Sequence, residues 1–433
     1  MENLSKKNNY KSLIVNTLFI LFPLSFILGN FFINLNIFLI ILFTSIFYSQ
    51  KLQNINFNLT DKLITLFFIY TFCVLLVNFF DAWFKNDVLS SIIISKTFFY
   101  LRYYFLYISL RVLISQNILS LKWFYFSCIF FSIFVSVDIF IQYYFGENLF
   151  GIEPVSRLKY SGVFGEELIA GGYILRFCIF AFFMPVIFNQ NKNWKKFLTL
   201  LLLLVIFASS ILLSGNRMPL LLFCLFFLFF LIINSNMRKY MILIFIILTT
   251  FLSLSYFNNK NIKLNYDGFV GNVQSLFSVY VSKEVSWQDD YDIKKTPYAV
   301  EIHCFYFVWK KNPYFGGGIK SYRVNTTGCN THPHNYFFEI LDDLGFFGFL
   351  IFLAIIMSIY LNLFSRKNIF SINNNVNLKI LPSFCLFFIE FFPLRVSGSF
   401  FSTNNATFVF IILALLISLI QFTEKKVSKE TII

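Results

Sequence analysis

The chain has 433 residues, 58% hydrophobic and 21% aromatic, with 65 phenylalanines and only 13% charged residues, and its mean hydropathy is +0.72. Soluble domains carry about 25% charged residues. This composition therefore excludes a soluble globular protein and describes a polytopic membrane protein whose outside faces lipid. The formal charge of +14 lies in short Lys and Arg clusters between apolar runs, where it orients helices and does not point to nucleic acid.

A helix that crosses a hydrocarbon core of about 30 Å needs about 20 mostly apolar residues. Such windows predict an all-α protein with twelve transmembrane helices, over 12–28, 32–49, 63–80, 92–114, 122–143, 167–188, 197–213, 219–234, 239–257, 336–363, 378–395 and 405–422. The first follows Lys6, Lys7 and Lys11, has no small-residue cleavage site and is read as an uncleaved helix. Counting outward from a cytoplasmic N-terminus, the inner segments collect Lys192, Lys195 and Lys196, Arg238 and Lys239, Arg366 and Lys367, and Lys425 and Lys426. The short outer segments hold only Lys85, Arg157, Lys159, Arg217 and Arg395. This bias predicts that both termini are cytoplasmic.

The chain then divides into residues 1–257 with helices one to nine, a 77-residue outer loop over 258–334, and residues 335–433 with helices ten to twelve and a cytoplasmic tail. Ordered loops longer than about 15 residues usually carry function, and a folded cap with short helices is expected here. Neither an inverted nor a parallel repeat is evident, which weakens a transporter reading. Cys73, Cys128, Cys178, Cys224 and Cys385 fall in apolar segments, where they are expected to be small buried hydrophobes. Cys304 and Cys329 share the outer loop, as a disulfide or as two free thiols.

Charges inside apolar windows cost about 2.5 to 3.5 kcal/mol at mid-helix. Lys96, Arg111 and Arg176 fit snorkelling or ion pairing, whereas Arg102, nearer a span centre, fits a cavity equally well. Three outer clusters follow. Arg157 to Gly165 is a cationic, glycine-bearing loop. Ser214-Gly215-Asn216-Arg217-Met218-Pro219 is a tight turn that would hold a guanidinium fork at headgroup depth, suited to a diphosphate or to an interfacial anchor. The third is His332-Pro333-His334-Asn335, then nine residues, then Gly345-Phe346-Phe347-Gly348. Pro333 predicts a first helical turn, which would set His334 and Asn335 at the N-terminal end of helix ten. There the dipole would keep His334 neutral and basic. Gly345 and Gly348 would share a face and permit close helix contact. Asp289-Asp290-Tyr291-Asp292 carries an Asp-x-Asp pattern, read as solvated surface beside Lys294 and Lys295.

The string His334-Asn335, nine residues, Gly345, two residues, Gly348 resembles the signature of the O-antigen ligase and O-antigen polymerase superfamily. Asp138 and Gln142, Ser161 to Phe164, Leu213 to Arg217, Asn312 to Gly318, and Phe392 to Phe401 resemble its other segments in order, over roughly residues 95 to 420. The resemblance implies a glycosyltransferase that works at the periplasmic face of the bacterial inner membrane without metal or cofactor. Its donor would be an undecaprenyl-diphosphate-linked glycan, held among membrane lipids. The leading reading is a ligase that passes the glycan to a lipid A-core sugar hydroxyl, with inversion. A polymerase, whose acceptor is another lipid-linked glycan, is the alternative, and a lipid-linked glycan flippase or other secondary transporter the second.

By resemblance His334 takes the base position and Arg217 the diphosphate-binding one. Family members often carry another arginine about a dozen residues before the Asn-Pro, but here the stretch reads Tyr298-Ala299-Val300-Glu301-Ile302-His303-Cys304. Lys320 and Arg323 are the candidates for that charge. Asn335, His332, Arg102, Arg157 and Arg395 are supporting candidates.

Overall fold

The computed structural model describes residues 2–86, 90–156, 158–188, 193–233, 238–281, 297–325, 329–364, 378–396 and 398–430. The helices are α1 (Glu2–Ile20), α2 (Phe22–Leu28), α3 (Asn30–Gln53), α4 (Leu59–Phe84), α5 (Ser91–Ser115), α6 (Leu121–Phe145), α7 (Ala170–Phe188) and α8 (Asn193–Leu213). They continue with α9 (Arg217–Ile233), α10 (Arg238–Asn258), α11 (Lys260–Val281), α12 (Pro297–Trp309), α13 (Ser321–Asn325), α14 (Tyr336–Phe364), α15 (Leu381–Glu390) and α16 (Thr403–Glu430). Among the described residues the fold is all-helical apart from an isolated bridge between Ser156 and Lys159.

All twelve apolar windows fall on helices, but among the described residues only eight helices are long and apolar enough to cross a membrane, or nine if bent α1–α2 is one span. The protein is multi-pass. Three of the remaining windows depart for readable reasons. Lys96, Arg102 and Arg111 put three cations into α5. Helix α9 has 17 residues. Helix α15 has only ten, with Pro382 in its first turn and Pro393 just past its end, so the expected 378–395 helix is bounded by two residues that cannot sit in a helix interior. The 44° bend between α1 and α2 has the same origin, since Pro23 lies in the first turn of α2.

Among the described residues the 258–334 segment contributes three helices, of which α11 runs to 22 residues, longer than expected. A backbone crossing straps this segment to α14. Gly345 breaks α14 with φ 68°, and there the amides of Phe346 and Phe347 donate to the carbonyls of Pro313 (2.9 Å) and Tyr314 (3.2 Å), while Gly318 N–H donates to Asp343 O (2.8 Å). A Cβ on Gly345 would lie 2.4 Å from Tyr314 O, and one on Gly316 2.4 Å from Asp343 O. The Asn312 to Gly318 string and Gly345 are therefore two halves of one contact. The expectation that Gly345 and Gly348 share a continuous helical face is corrected: Gly345 serves as a left-handed break. Gly348 does allow close approach, its missing Cβ being 2.8 Å from the Tyr70 ring of α4.

The core is aromatic, with Phe229 stacked on Phe388 at 4.4 Å and Phe19 on Phe124 at 4.4 Å. Phe31, Phe38, Phe84 and Phe130 are exposed, as expected where lipid is the solvent. Cys73 is exposed too, correcting its expected burial. The costliest charge is paired: Arg111, fully buried, donates to both oxygens of Asp61 (2.8 and 2.7 Å) and to Ser418 and Gln421 (both 2.9 Å), joining α4, α5 and α16.

Candidate active site

Alternating helix directions bring the N-terminal ends of α3, α5, α7, α9 and α16 around one cavity of about 1170 Å³. Lys96 and Arg102 of α5, Lys159, Arg217 of α9 and Arg323 of α13 line it, with Glu167 the lone carboxylate in its wall among the described residues. His332, His334, Lys320 and Arg395 line the same cavity. Cations outnumber anions in the cavity wall, and such a space attracts a polyanion.

Arg217 opens α9, and the local sequence explains its fixed place. Gly215 adopts φ 68° because a Cβ there would lie 2.4 Å from Leu158 O. Asn216 donates to Leu168 O (2.7 Å) and accepts from Gly171 N–H (3.3 Å). The turn is thus laced to the loop entering α7, which Asp138 and Gln142 of α6 organise in turn: Asp138 accepts from Leu149 N–H (3.0 Å) and Gln142 from Gly162 N–H (2.9 Å). Arg217 Nε donates to Asn265 Oδ1 of α11 at 2.8 Å, and Asn265 Nδ2 donates back to Gly215 O at 3.2 Å. The guanidinium lies over the Phe269 ring at 6.0 Å. Asn265, buried, was missed by sequence reading, since a lone amide in an amphipathic segment carries no motif.

The histidine cluster differs from expectation. Helix α14 begins at Tyr336, and Asn335 caps it, its side-chain oxygen accepting from Phe337 N–H (2.9 Å) and Phe338 N–H (3.4 Å). Pro333 therefore precedes the helix instead of occupying its first turn, and His334 sits just outside the cap with φ 45°. Asn335 Nδ2 donates to Pro393 O (2.8 Å) and ties this corner to the loop after α15. Lys320, with φ 71°, and His334 are two of the four non-glycine residues with positive φ among the described residues; both line the cavity, where stored backbone strain is commonly found. His334 Nε2 lies 3.7 Å from Glu301 Oε1 of α12, and its ring centroid 4.2 Å from that of His332. Burial, then His334 and Lys320, lowers the His332 imidazole to about 4. Cys304 and Cys329 form a disulfide that joins α12 to the start of the histidine loop.

Other candidates are engaged elsewhere. Lys320 Nζ is 3.1 Å from Glu339 Oε1 and bonds Ser399, so its charge is largely neutralised. Arg323 is exposed and has no ion-pair partner among the described residues. Arg395 pairs with Glu390 at 2.5 Å, and Arg176 with the same carboxylate at 2.6 Å. Arg102 bonds Tyr103 (2.6 Å) and Thr403 (3.4 Å). Arg157 and the Asp289 to Asp292 stretch lie outside the described residues.

Among curated proteins, none matches the chain. Residues 201–353, about a third of the chain, match the family model described as O-antigen ligase. That segment runs from α8 into α14 and holds Arg217, Asn265, Glu301 and His334; over this stretch the chain is similar to the O-antigen ligase family.

Proposed function

We propose that this protein transfers a glycan from undecaprenyl diphosphate to a lipid A-core sugar hydroxyl at the periplasmic face, in the manner of a ligase. The observation that carries the reading is that Arg217 and His334, remote in sequence, line one cationic cavity at one end of the helix bundle. A glycosyl diphosphate already has a good leaving group. The protein has to stabilise the departing diphosphate and take a proton from the attacking hydroxyl. Arg217 serves the first task with a guanidinium braced through Nε and the N-terminus of α9 beneath it, and Arg323, which has no ion-pair partner among the described residues, supplies the second charge in place of Lys320. His334 serves the second task. The anomeric carbon exchanges its phosphate oxygen for the acceptor oxygen in one displacement with inversion, with no metal. Lys159 and Arg217, both in the cavity wall, lie just before and at the start of a helix and not in mid-span, where transporters hold their substrates, which favours a transferase over a flippase.

Purified protein in detergent, given lipid-diphosphate glycan and lipid A-core acceptor, should form product without a membrane gradient. Arg217→Ala should lower kcat/KM by about 10² to 10³, the effect of losing one oxyanion donor, and His334→Ala by about 10² to 10⁴. Arg217→Lys should remain impaired because the bidentate fork is lost. Full activity in both alanine variants, with folding intact, would refute the site. Product formed only when the acceptor is a second lipid-linked glycan would assign a polymerase instead.

A further inference from the structure

The geometry points to Glu301 as the positioning carboxylate of His334, forming with it a glutamate–histidine pair that the Cys304–Cys329 disulfide holds in register. This rests on the reading of His334 as the base and adds a residue that the resemblance does not provide, since the stretch around Glu301 is where an arginine was expected.

Four observations converge. Glu301 Oε1 is the carboxylate oxygen near His334 Nε2, at 3.7 Å. That distance is an ion-pair separation, and catalytic contacts of this kind commonly tighten when substrate binds. The same oxygen accepts from Asn330 Nδ2 at 3.1 Å, so the carboxylate is oriented by the loop that carries His334. Cys304 lies one helical turn beyond Glu301, on the same face of α12, and is joined to Cys329, the neighbour of Asn330, with 6.1 Å between Cα atoms. Phe305 of α12 stacks on Phe338 of α14 at 4.5 Å and 15°, which fixes the helix against the cap that presents His334.

With Nε2–H turned towards Glu301, the neutral imidazole keeps its lone pair on Nδ1. In the transfer step the acceptor oxygen bonds to the anomeric carbon, and the carbon–oxygen bond to phosphate breaks with its electron pair leaving on the diphosphate. The hydroxyl proton moves to Nδ1, and the imidazolium is stabilised by the Glu301 carboxylate. Glu301 from α12 and His332 from its own loop face His334, and Lys320 and Arg323 line the same cavity. Among these groups Glu301 carries the carboxylate that an imidazolium at His334 would meet. Burial raises the Glu301 carboxyl above its ordinary value, opposed in part by His334 and by the Asn330 hydrogen bond.

Wild type, Glu301→Gln, Glu301→Asp and His334→Ala are assayed between pH 5 and 9 with lipid-diphosphate glycan donor and lipid A-core acceptor, after thermal melting and thiol labelling confirm fold and disulfide. Glu301→Gln is expected to lower kcat by about 10 to 10², leave the donor KM within about twofold, and move the acid limb of the kcat profile down by about one unit. Glu301→Asp should recover part of kcat and restore the acid limb. An unchanged kcat and acid limb in Glu301→Gln beside an inactive His334→Ala would overturn the role of Glu301 and leave the base in place. Full activity in both Glu301→Gln and His334→Ala would overturn the functional reading itself. Should Glu301→Gln fail to fold, Glu301→Asp decides: kcat equal to wild type at every pH overturns the proposal, and a lowered kcat at unchanged KM upholds it.

Discussion

Two histidines two positions apart have opposite environments. His332 has its Nε2 buried without a hydrogen-bond partner and its imidazole lowered to about 4, whereas His334 meets a carboxylate. An opened loop returns His332 to a pKa of about 6.5. The opened state therefore binds more protons between about 4 and 6.5, so the closed loop is fully stable above that window and loses stability as pH falls through it. Limited proteolysis between Cys329 and Asn335 should accelerate from pH 7 to pH 5, and His332→Asn should flatten the dependence. Identical profiles for both proteins would assign the effect to another group. The His-x-His-Asn pattern was legible as a cluster. That His332 would be lowered was not, because its burial follows from packing by residues distant in the chain.

At the scale of elements, the break in α14 is the informative feature. Gly345 holds a backbone conformation that other residues rarely adopt, and its hydrogen side faces Tyr314 O. Gly345→Ala needs a shift of two backbones and should cost more than about 2 kcal/mol, seen as a fall in melting temperature in detergent and in yield. Gly348→Ala meets the Leu344 Cβ and the Tyr70 ring but no carbonyl or amide of a crossing backbone, and should cost less. A reversed order would mean that the crossing with Pro313 and Tyr314 does not organise this region. The glycines were visible in the sequence. That one of them ends a helical segment depends on Asn312 to Gly318 lying across it, a contact that helical periodicity cannot encode.

For the whole molecule, Glu390 is the buried junction. Arg176 of α7 reaches it with two nitrogens (2.6 and 3.3 Å), Tyr336 of α14 donates at 2.9 Å, and Arg395 closes the other side. Asn404 and Asn405 of α16 also accept from Arg176 (3.2 and 2.7 Å). One carboxylate therefore locks the helices that form the cavity floor. Glu390→Gln would leave two buried guanidinium groups short of charge and should destabilise the protein by about 3 to 5 kcal/mol. A melting temperature within about 2 °C of wild type would show that the cavity relaxes or admits water there.

By itself the sequence determined the class: apolar windows are local quantities, and they suffice to identify an all-helical multi-pass protein, while short motifs marked Arg217 and His334 as candidates. Only the tertiary structure decided which charges are available. Arg395, Arg176 and Lys320 each meet a carboxylate from another element, whereas Arg217 is braced by Asn265 and His334 meets Glu301 from a helix tied down by a disulfide. In a low-dielectric interior the fate of a charge depends on its nearest partner, and those partners come from segments tens to hundreds of residues away.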